Sequence, residues 1–350
     1  EGIYHAMRIL HVSPMYSPIL GGAELHLKEI SEGLAARGHD VTVLTSNTSN
    51  SWDLWNAKPA NLPEVELIKG VKIVRLQPDG GALGKLIRLC WSLRGGHRGL
   101  NWLLSPSGFD LFMQGPRTFG VIPYLLRFNA DVVASMNWYW PLGHYCHLAR
   151  RLKHYKLVGI PLFHTAEDWC GRDIYRRMLR NCDAVVANTE FEAEFARGRG
   201  ARNVQAVGVG IHPEDFEKRD GRAVREAYHI DNHPVIGFIG RLTANKGITT
   251  VIAAMRQVWK TNSEVRLLIA GPEPPPSTLD VLRLHELTTL ERSRVIRICD
   301  FKDADKASIF DALDVFALPS VGESFGIAYL EAWMCGKPVI GADIGPTRDV

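Results

Sequence analysis

The chain has 350 residues, enough for two domains of ordinary size. Hydrophobic residues make up 46% and charged residues 23% of it, a balance that excludes a disordered or fibrous protein. The net charge of +3 is too small to call for a nucleic-acid partner. Residues 1–200 hold 23 Lys/Arg against 18 Asp/Glu, and residues 201–350 hold 18 against 20. The first half therefore suits an anionic partner or surface better than the second.

"EGIYHA" precedes the first plausible start, Met7, and reads as upstream residues 1–6. From there the pattern is strand, loop, helix, repeated. "RILHVS" (8–13) reads as a buried strand, and a loop with Pro14, Pro18, Gly21 and Gly22 follows. Leu27, Ile30 and Leu34 then recur at helix spacing over 23–38, with Gly38 as the stop. Further strands are expected at 40–46, 71–76, 131–136, 156–163, 183–188 and 203–207, with helices near 141–153, 168–181 and 190–199. A second series starts at "PVIGFIG" (234–240). It continues with helix 246–260, strand 265–271, a Pro-rich loop, a helix near 278–288, strand 295–299, helix 306–313, strand 315–318, helix 325–335 and strand 338–341. Such alternation predicts two doubly wound α/β units, residues 7–211 and 234–350, each a parallel sheet covered by helices. The polar stretch 212–233 reads as the join. Ligands of open α/β sheets bind beyond the C-terminal ends of the strands, so the residues just after strands matter most.

Three such places carry chemistry. In "GFIGRLTANKG" (237–247), Arg241 and Lys246 bracket a turn into a helix whose free N–H groups favour an anion. Together they would clamp a diphosphate; otherwise they are two solvated surface cations. In "GGAE" (21–24), Gly21 and Gly22 would let the backbone approach a ligand, or simply turn the chain. In "PSVGESFGIAYLEAW" (319–333), Glu323 lies in a loop after a strand, Phe325 and Gly326 begin a helix, and Glu331 follows roughly 9 Å along the axis. Two carboxylates separated by amide donors suit a ligand with hydroxyls at both ends and an anion between, the shape of a nucleotide sugar. The bland alternative is a solvated cap and a surface glutamate. "DAD" (303–305) could be read as a metal-binding motif but sits where a helix cap belongs.

The six cysteines, Cys90, Cys146, Cys170, Cys182, Cys299 and Cys335, form no CxxC pair and no cluster of zinc spacing. They are expected to be reduced and mostly buried. With no signal-peptide pattern and no apolar run long enough to span a bilayer, a cytoplasmic location is expected. "GKLIRLCWSLRGGHRGLNWLL" (84–104) interleaves Lys85, Arg88, Arg94 and Arg98 with Trp91, Trp102 and leucines. That pattern suits either a helix packed on the core or a peripheral contact with the inner face of the membrane.

"PSVGESFGIAYLEAWMCGKPVIGADIG" (319–345) resembles the signature of family 4 glycosyltransferases. "GRLTANKG", "GGAELHLKEISEGLAARGHDVTVLTS" (21–46), "FHTAEDW" (163–169) and "ANTEF" (187–191) resemble further landmarks of that family, in order over residues 7–350. The resemblance implies the GT-B fold, two Rossmann-like domains facing across a cleft. It also implies a retaining transfer of a hexose from a nucleotide-diphosphate sugar to a saccharide or lipid-linked acceptor, in polysaccharide or cell-envelope glycan synthesis. The first domain would take the acceptor and the second the donor. Glu331 would hold the donor ribose. Glu323 would act as a catalytic residue, holding the transferred sugar and stabilising charge near the reacting carbon; His164 would contact that sugar as the second catalytic residue, the alternative being a core histidine. Ser324, Phe325 and Gly326 would bind the donor, the last two through backbone amides. Arg241 and Lys246 would neutralise the diphosphate, and Gly21 and Gly22 would approach it. No metal and no cofactor are expected beyond the nucleotide sugar itself. Cys299 and Asp300 stand where the family often has glycine near the base, so the base preference is open; separately, Asp349 stands where the family usually has Glu after the final glycine motif. Ending at Val350, the chain is expected to lack the family's last helices. A non-catalytic nucleotide-sugar-binding homologue or partner subunit is the alternative function, and the intact Arg241, Lys246, Glu323 and Glu331 weigh against it. A nucleotide-sugar epimerase of the same fold is disfavoured by "GGAE" and "GRLTANKG".

Overall fold

A computed structural model describes residues 5–19, 21–50, 53, 54, 56–79, 118, 120–165, 168–272, 284–299 and 301–350. The chain divides into two units, with the boundary at Gly208 and Val209.

The first unit holds an eight-stranded sheet made of β1 (Arg8–Val12), β2 (Asp40–Ser46), β3 (Val65–Ile68), β4 (Val71–Leu76), β5 (Val132–Met136), β6 (Lys156–Ile160), β7 (Ala184–Ala187) and β8 (Val204–Ala206). Their order is β3-β4-β2-β1-β5-β6-β7-β8. Every pair is parallel except β3 with β4. The helices are α1 (Gly22–Ala36), α2 (Val121–Arg127), α3 (Leu142–Ala149), α4 (Asp173–Asn181) and α5 (Glu190–Gly198). Side chains alternate across a strand, so β1 and β2 fill both faces. Ile9, Val41 and Val43 pack with Leu27 and Leu34 of α1. Leu10, Val12 and Leu44 pack with Leu125 of α2 and Leu142 and Tyr145 of α3. Trp138, Phe163, Tyr175 and Ala193 form a third cluster.

Strand β3 is absent from the sequence expectation. Val65 and Leu67 are 58% and 72% exposed, so this edge strand carries no buried face for a pattern to reveal. It pairs with β4 through Lys69 and Gly70, both at positive φ (46° and 81°), as a two-residue hairpin turn requires.

The second unit holds a five-stranded, all-parallel sheet of β9 (Val235–Ile239), β10 (Arg266–Ala270), β11 (Val295–Ile298), β12 (Val315–Leu318) and β13 (Val339–Gly341), in the order β11-β10-β9-β12-β13. Its helices are α6 (Gly221–Ala227), α7 (Ile248–Thr261), α8 (Thr289–Arg292), α9 (Lys306–Asp311), α10 (Ile327–Met334) and α11 (Gly345–Asp349). Phe238, Leu268, Phe310, Phe316 and Tyr329 lie in one core. The chain runs outward from β9 to β11, then returns to β12 on the other side of β9. That reversal sets the loops after β9 and β12 side by side.

Several boundaries differ from expectation. Helix α10 begins at Ile327, not Phe325, because Gly326 takes a left-handed φ of 99° as its N-cap. Helix α7 begins at Ile248, after a 3₁₀ turn over Ala244–Lys246. Residues 212–233 carry a 3₁₀ turn and α6, and α6 docks on α9: Gly221 N donates to Asp311 Oδ2 at 2.9 Å and Asp220 N to Ser308 Oγ at 3.0 Å. The basic segment 84–104, Cys90, Asp300 and residues 273–283, which include the start of the helix expected near 278–288, lie outside the described residues. The other five cysteines are free thiols. Among the described residues, no helix is long and apolar enough to cross a membrane.

Candidate functional site

In the second unit the two adjacent loops are fastened to one another. Val321 N and Ser320 Oγ both donate to the Asn245 carbonyl, at 2.9 and 3.1 Å. Gly247, at φ 81°, lies so close to Pro319 that a Cβ would meet its carbonyl oxygen at 2.3 Å. The turn therefore needs glycine there for both conformation and space. This contact sets Lys246 against the β12 loop. Its Nζ donates to Glu323 Oε1 at 2.5 Å and reaches the Gly322 carbonyl at 3.5 Å. The two side chains are 13% and 9% exposed, so each charge has lost most of its water and depends on the other.

Beyond Glu323, Ser324 is half-buried and Phe325 is buried. Gly326 then opens α10; the Tyr329 N–H bonds back to the Gly326 carbonyl at 2.9 Å, and the N–H groups ahead of it precede the i−4 ladder of the helix. Tyr329 ties the helix start to β12 by donating its hydroxyl to the Leu318 carbonyl at 2.7 Å. Glu331 follows four residues after Ile327, about 6 Å along the axis, shorter than the sequence spacing suggested because the helix starts later. It is buried, and Lys306 Nζ donates to its Oε1. Lys306 is the first residue of α9, directly after the 3₁₀ turn Asp303–Asp305. In that turn Asp305 Oδ2 accepts the Lys302 N–H at 3.1 Å, so the "DAD" segment acts as a cap.

The unit thus carries two lysine–carboxylate pairs, one at either end of a stretch of helix-start amides. Arg241, just after β9, is exposed. Sequence reasoning named Arg241, Lys246, Glu323, Ser324, Phe325, Gly326 and Glu331; the structure pairs Lys246 with Glu323 and sets Lys306, which sequence reasoning did not name, against Glu331. One signal was available: a lysine in the first turn opposes the helix dipole and needs a nearby anion.

Of the residues expected in the first unit, Gly22 opens α1, with Gly21 as an extended N-cap (φ −177°) whose carbonyl accepts the Leu25 N–H at 2.9 Å. Glu24, in the same first turn, is buried. His164 lies in the loop after β6, and its carbonyl accepts from Cys170 Sγ at 3.2 Å. The loop is held from α5. Glu192 is fully buried; its Oε1 accepts the Phe163 N–H at 2.7 Å and its Oε2 the Asn188 N–H at 2.8 Å. Burial pushes its carboxyl up to about 7, although the backbone N–H groups favour the charged form. Sequence reasoning did not single out Glu192. The Thr189-x-x-Glu192 spacing of a capping box was the signal.

The comparisons with known proteins agree with this layout. Residues 21–210 match the glycosyl transferase 4-like domain, and residues 233–350 match the glycosyl transferases group 1 domain. A D-inositol 3-phosphate glycosyltransferase of Segniliparus rotundus is 27% identical over 97% of this chain and 74% of its own length. One from Streptomyces bingchenggensis is 29% identical with the same coverage. Among solved structures, sucrose-phosphate synthase from Thermosynechococcus elongatus has a TM-score of 0.69 at 20% identity, over 97% of this chain and 82% of that one. Anabaena HepE in complex with UDP and glucose has a TM-score of 0.68 at 20% identity, over 98% and 82%.

Proposed function

We propose that this chain, which belongs to the family 4 glycosyltransferases and has their GT-B fold of two Rossmann-like domains, is a retaining hexosyltransferase whose donor is held by the two lysine–carboxylate pairs of its second unit. The observation that carries this reading is the pairing itself: Lys246 with Glu323 and Lys306 with Glu331, either side of the α10 start. Buried pairs of this kind are costly as mere struts, and Lys246–Glu323 joins the two loops at the strand-order reversal, where α/β sheets bind ligands.

In this reading Glu331 accepts the ribose hydroxyls, with Lys306 holding its carboxylate in place. Lys246 and Arg241 neutralise the diphosphate, and the α10 amides add partial positive charge. Glu323 accepts hydroxyls of the transferred sugar. From the first unit, His164 is assigned to the sugar and the Gly21–Gly22 backbone to the diphosphate. As the nucleoside diphosphate departs, negative charge grows on its phosphate oxygens while the glycosidic carbon becomes oxocarbenium-like. Stabilising that leaving group is the main electrostatic task. Lys246 is already fixed by Glu323, so little reorganisation is needed when the charge appears. No metal is required in this account, and turnover should survive an excess of chelator.

The acceptor is a hydroxyl of a saccharide or lipid-linked sugar. The names of the Segniliparus and Streptomyces relatives add a phosphorylated cyclitol as a second class to test. The deciding experiment is proton NMR of the first product formed from an α-linked nucleotide sugar, with each acceptor class supplied. An α-linked product, made without metal, is expected. A β-linked product would overturn the retaining assignment, and no consumption of any nucleotide sugar would favour the non-catalytic binding homologue.

A further inference from the structure

One buried carboxylate in the first unit is not explained by packing. Glu192, the third residue of α5, is fully buried. A conventional capping box would return its carboxylate to the N–H of the N-cap, Thr189. Thr189 does its part, accepting the Glu192 N–H at 3.1 Å. The carboxylate, however, reaches one residue further back, to Asn188 N, and crosses to Phe163 N, 29 residues away in sequence. Each oxygen thus serves a different backbone segment: the end of β7 and the loop after β6. Burying a carboxylate is costly unless its hydrogen bonds are well made. A helix cap alone does not need that burial, since Thr189 already supplies one.

The fastened loop is strained. Leu162 holds a φ of 55°, a left-handed conformation unfavourable for a leucine. Phe163 follows, its ring buried against Trp138, Tyr175 and Phe195. His164 is the next residue. Strain of this kind persists only where its surroundings hold it, and it gathers at functional sites.

We propose that Glu192 is a positioning residue for sugar transfer: its carboxylate locks the backbone at Phe163 and so fixes where His164 is presented. The proposal rests on the assignment of His164 to the donor sugar. Glu192 touches no substrate; it acts through the loop.

The test compares Glu192→Gln, His164→Ala and the double variant in kcat, KM and nucleoside-diphosphate affinity, with amide exchange at Phe163 and Asn188 as a structural readout. Gln keeps the volume but has only one acceptor oxygen. Expected in Glu192→Gln are faster exchange at one or both amides, a kcat roughly tenfold or more lower, and nucleoside-diphosphate binding within about twofold of the parent because the donor pairs lie in the other unit. The double variant should be no slower than His164→Ala alone. Losses that multiply would place the action of Glu192 elsewhere and overturn the proposal. So would faster exchange with unchanged kcat. Unchanged turnover in His164→Ala would instead remove the histidine assignment, and the proposal with it, while leaving the donor pairs untouched. Where Glu192→Gln does not fold, Glu192→Asp, which withdraws the carboxylate by one methylene, is measured against the same criteria.

Discussion

At the scale of single residues, Lys246 and Glu323 depend on each other. Both are nearly buried and meet at 2.5 Å. Removing one leaves the other charge in a site that excludes most water. For fully buried pairs that costs about 3–5 kcal/mol; this partly open site should lie at the lower end. Lys246→Met and Glu323→Gln should each lower the urea midpoint of the second unit. The pair together should be less destabilising than their sum, with a coupling of about 1 kcal/mol or more. Strict additivity in that cycle would show that the contact is not formed in solution. Both residues could be found from sequence because each follows a strand in a recognisable run. Lys306 was not: its place in a first turn hinted at a nearby anion, but that anion, Glu331, is 25 residues later, and only packing of α9 against α10 brings the two together. Glu192 stayed hidden for a similar reason: its partner at Phe163 is reached across the sheet's end.

At the scale of elements, the site depends on how two loops are tied. Gly247 takes a left-handed φ and lies against the Pro319 carbonyl. Gly247→Ala adds a backbone penalty of about 1–2 kcal/mol to a clash that must push the β12 loop away. The second unit should therefore unfold at lower urea, and nucleotide affinity should fall with it. Intact affinity in a destabilised variant would mean the loop contact does not shape the donor site. Elements with buried faces were legible: β1, β2, β9 and β12 were all found, because parallel strands read as continuous apolar runs. What escaped was β3, exposed at the sheet edge, and the first residues of α7 and α10. There a 3₁₀ turn and a left-handed glycine replace the helical residues that the pattern suggested.

At the scale of the whole molecule, burial has an acid-sensitive consequence. Burial lowers His11, His26 and His144 to about 4 and His147 to about 3, against about 6.5 in an unfolded chain. As pH falls from 6.5 towards 4, the unfolded chain takes up protons that the folded one refuses, so stability drops. Glu192 works the other way. Its folded value of about 7 lies above its unfolded one, so its contribution is fully present below about 4.5 and is lost as pH rises through 7. Four histidines outweigh one glutamate, and the thermal midpoint should fall between pH 6.5 and 4.5. A midpoint constant or rising over that range would contradict the buried, neutral histidines. The neighbours of His11 set its neutral tautomer: its Nδ1 bonds Ser31 Oγ at 2.7 Å, and that hydroxyl donates to the Leu27 carbonyl, so Nδ1 carries the proton, while burial disfavours the second proton.

The central claim is that the second unit holds a nucleoside diphosphate between its two lysine–carboxylate pairs. Thermal unfolding of the chain with saturating UDP, GDP, ADP and CMP tests it most directly. A ligand at a hundred times its dissociation constant should add about 2.7 kcal/mol of stability. The account predicts selective stabilisation by one nucleoside diphosphate, lost in Lys246→Ala and in Glu331→Ala. Stabilisation by none of the four, or stabilisation that survives both substitutions, would contradict it.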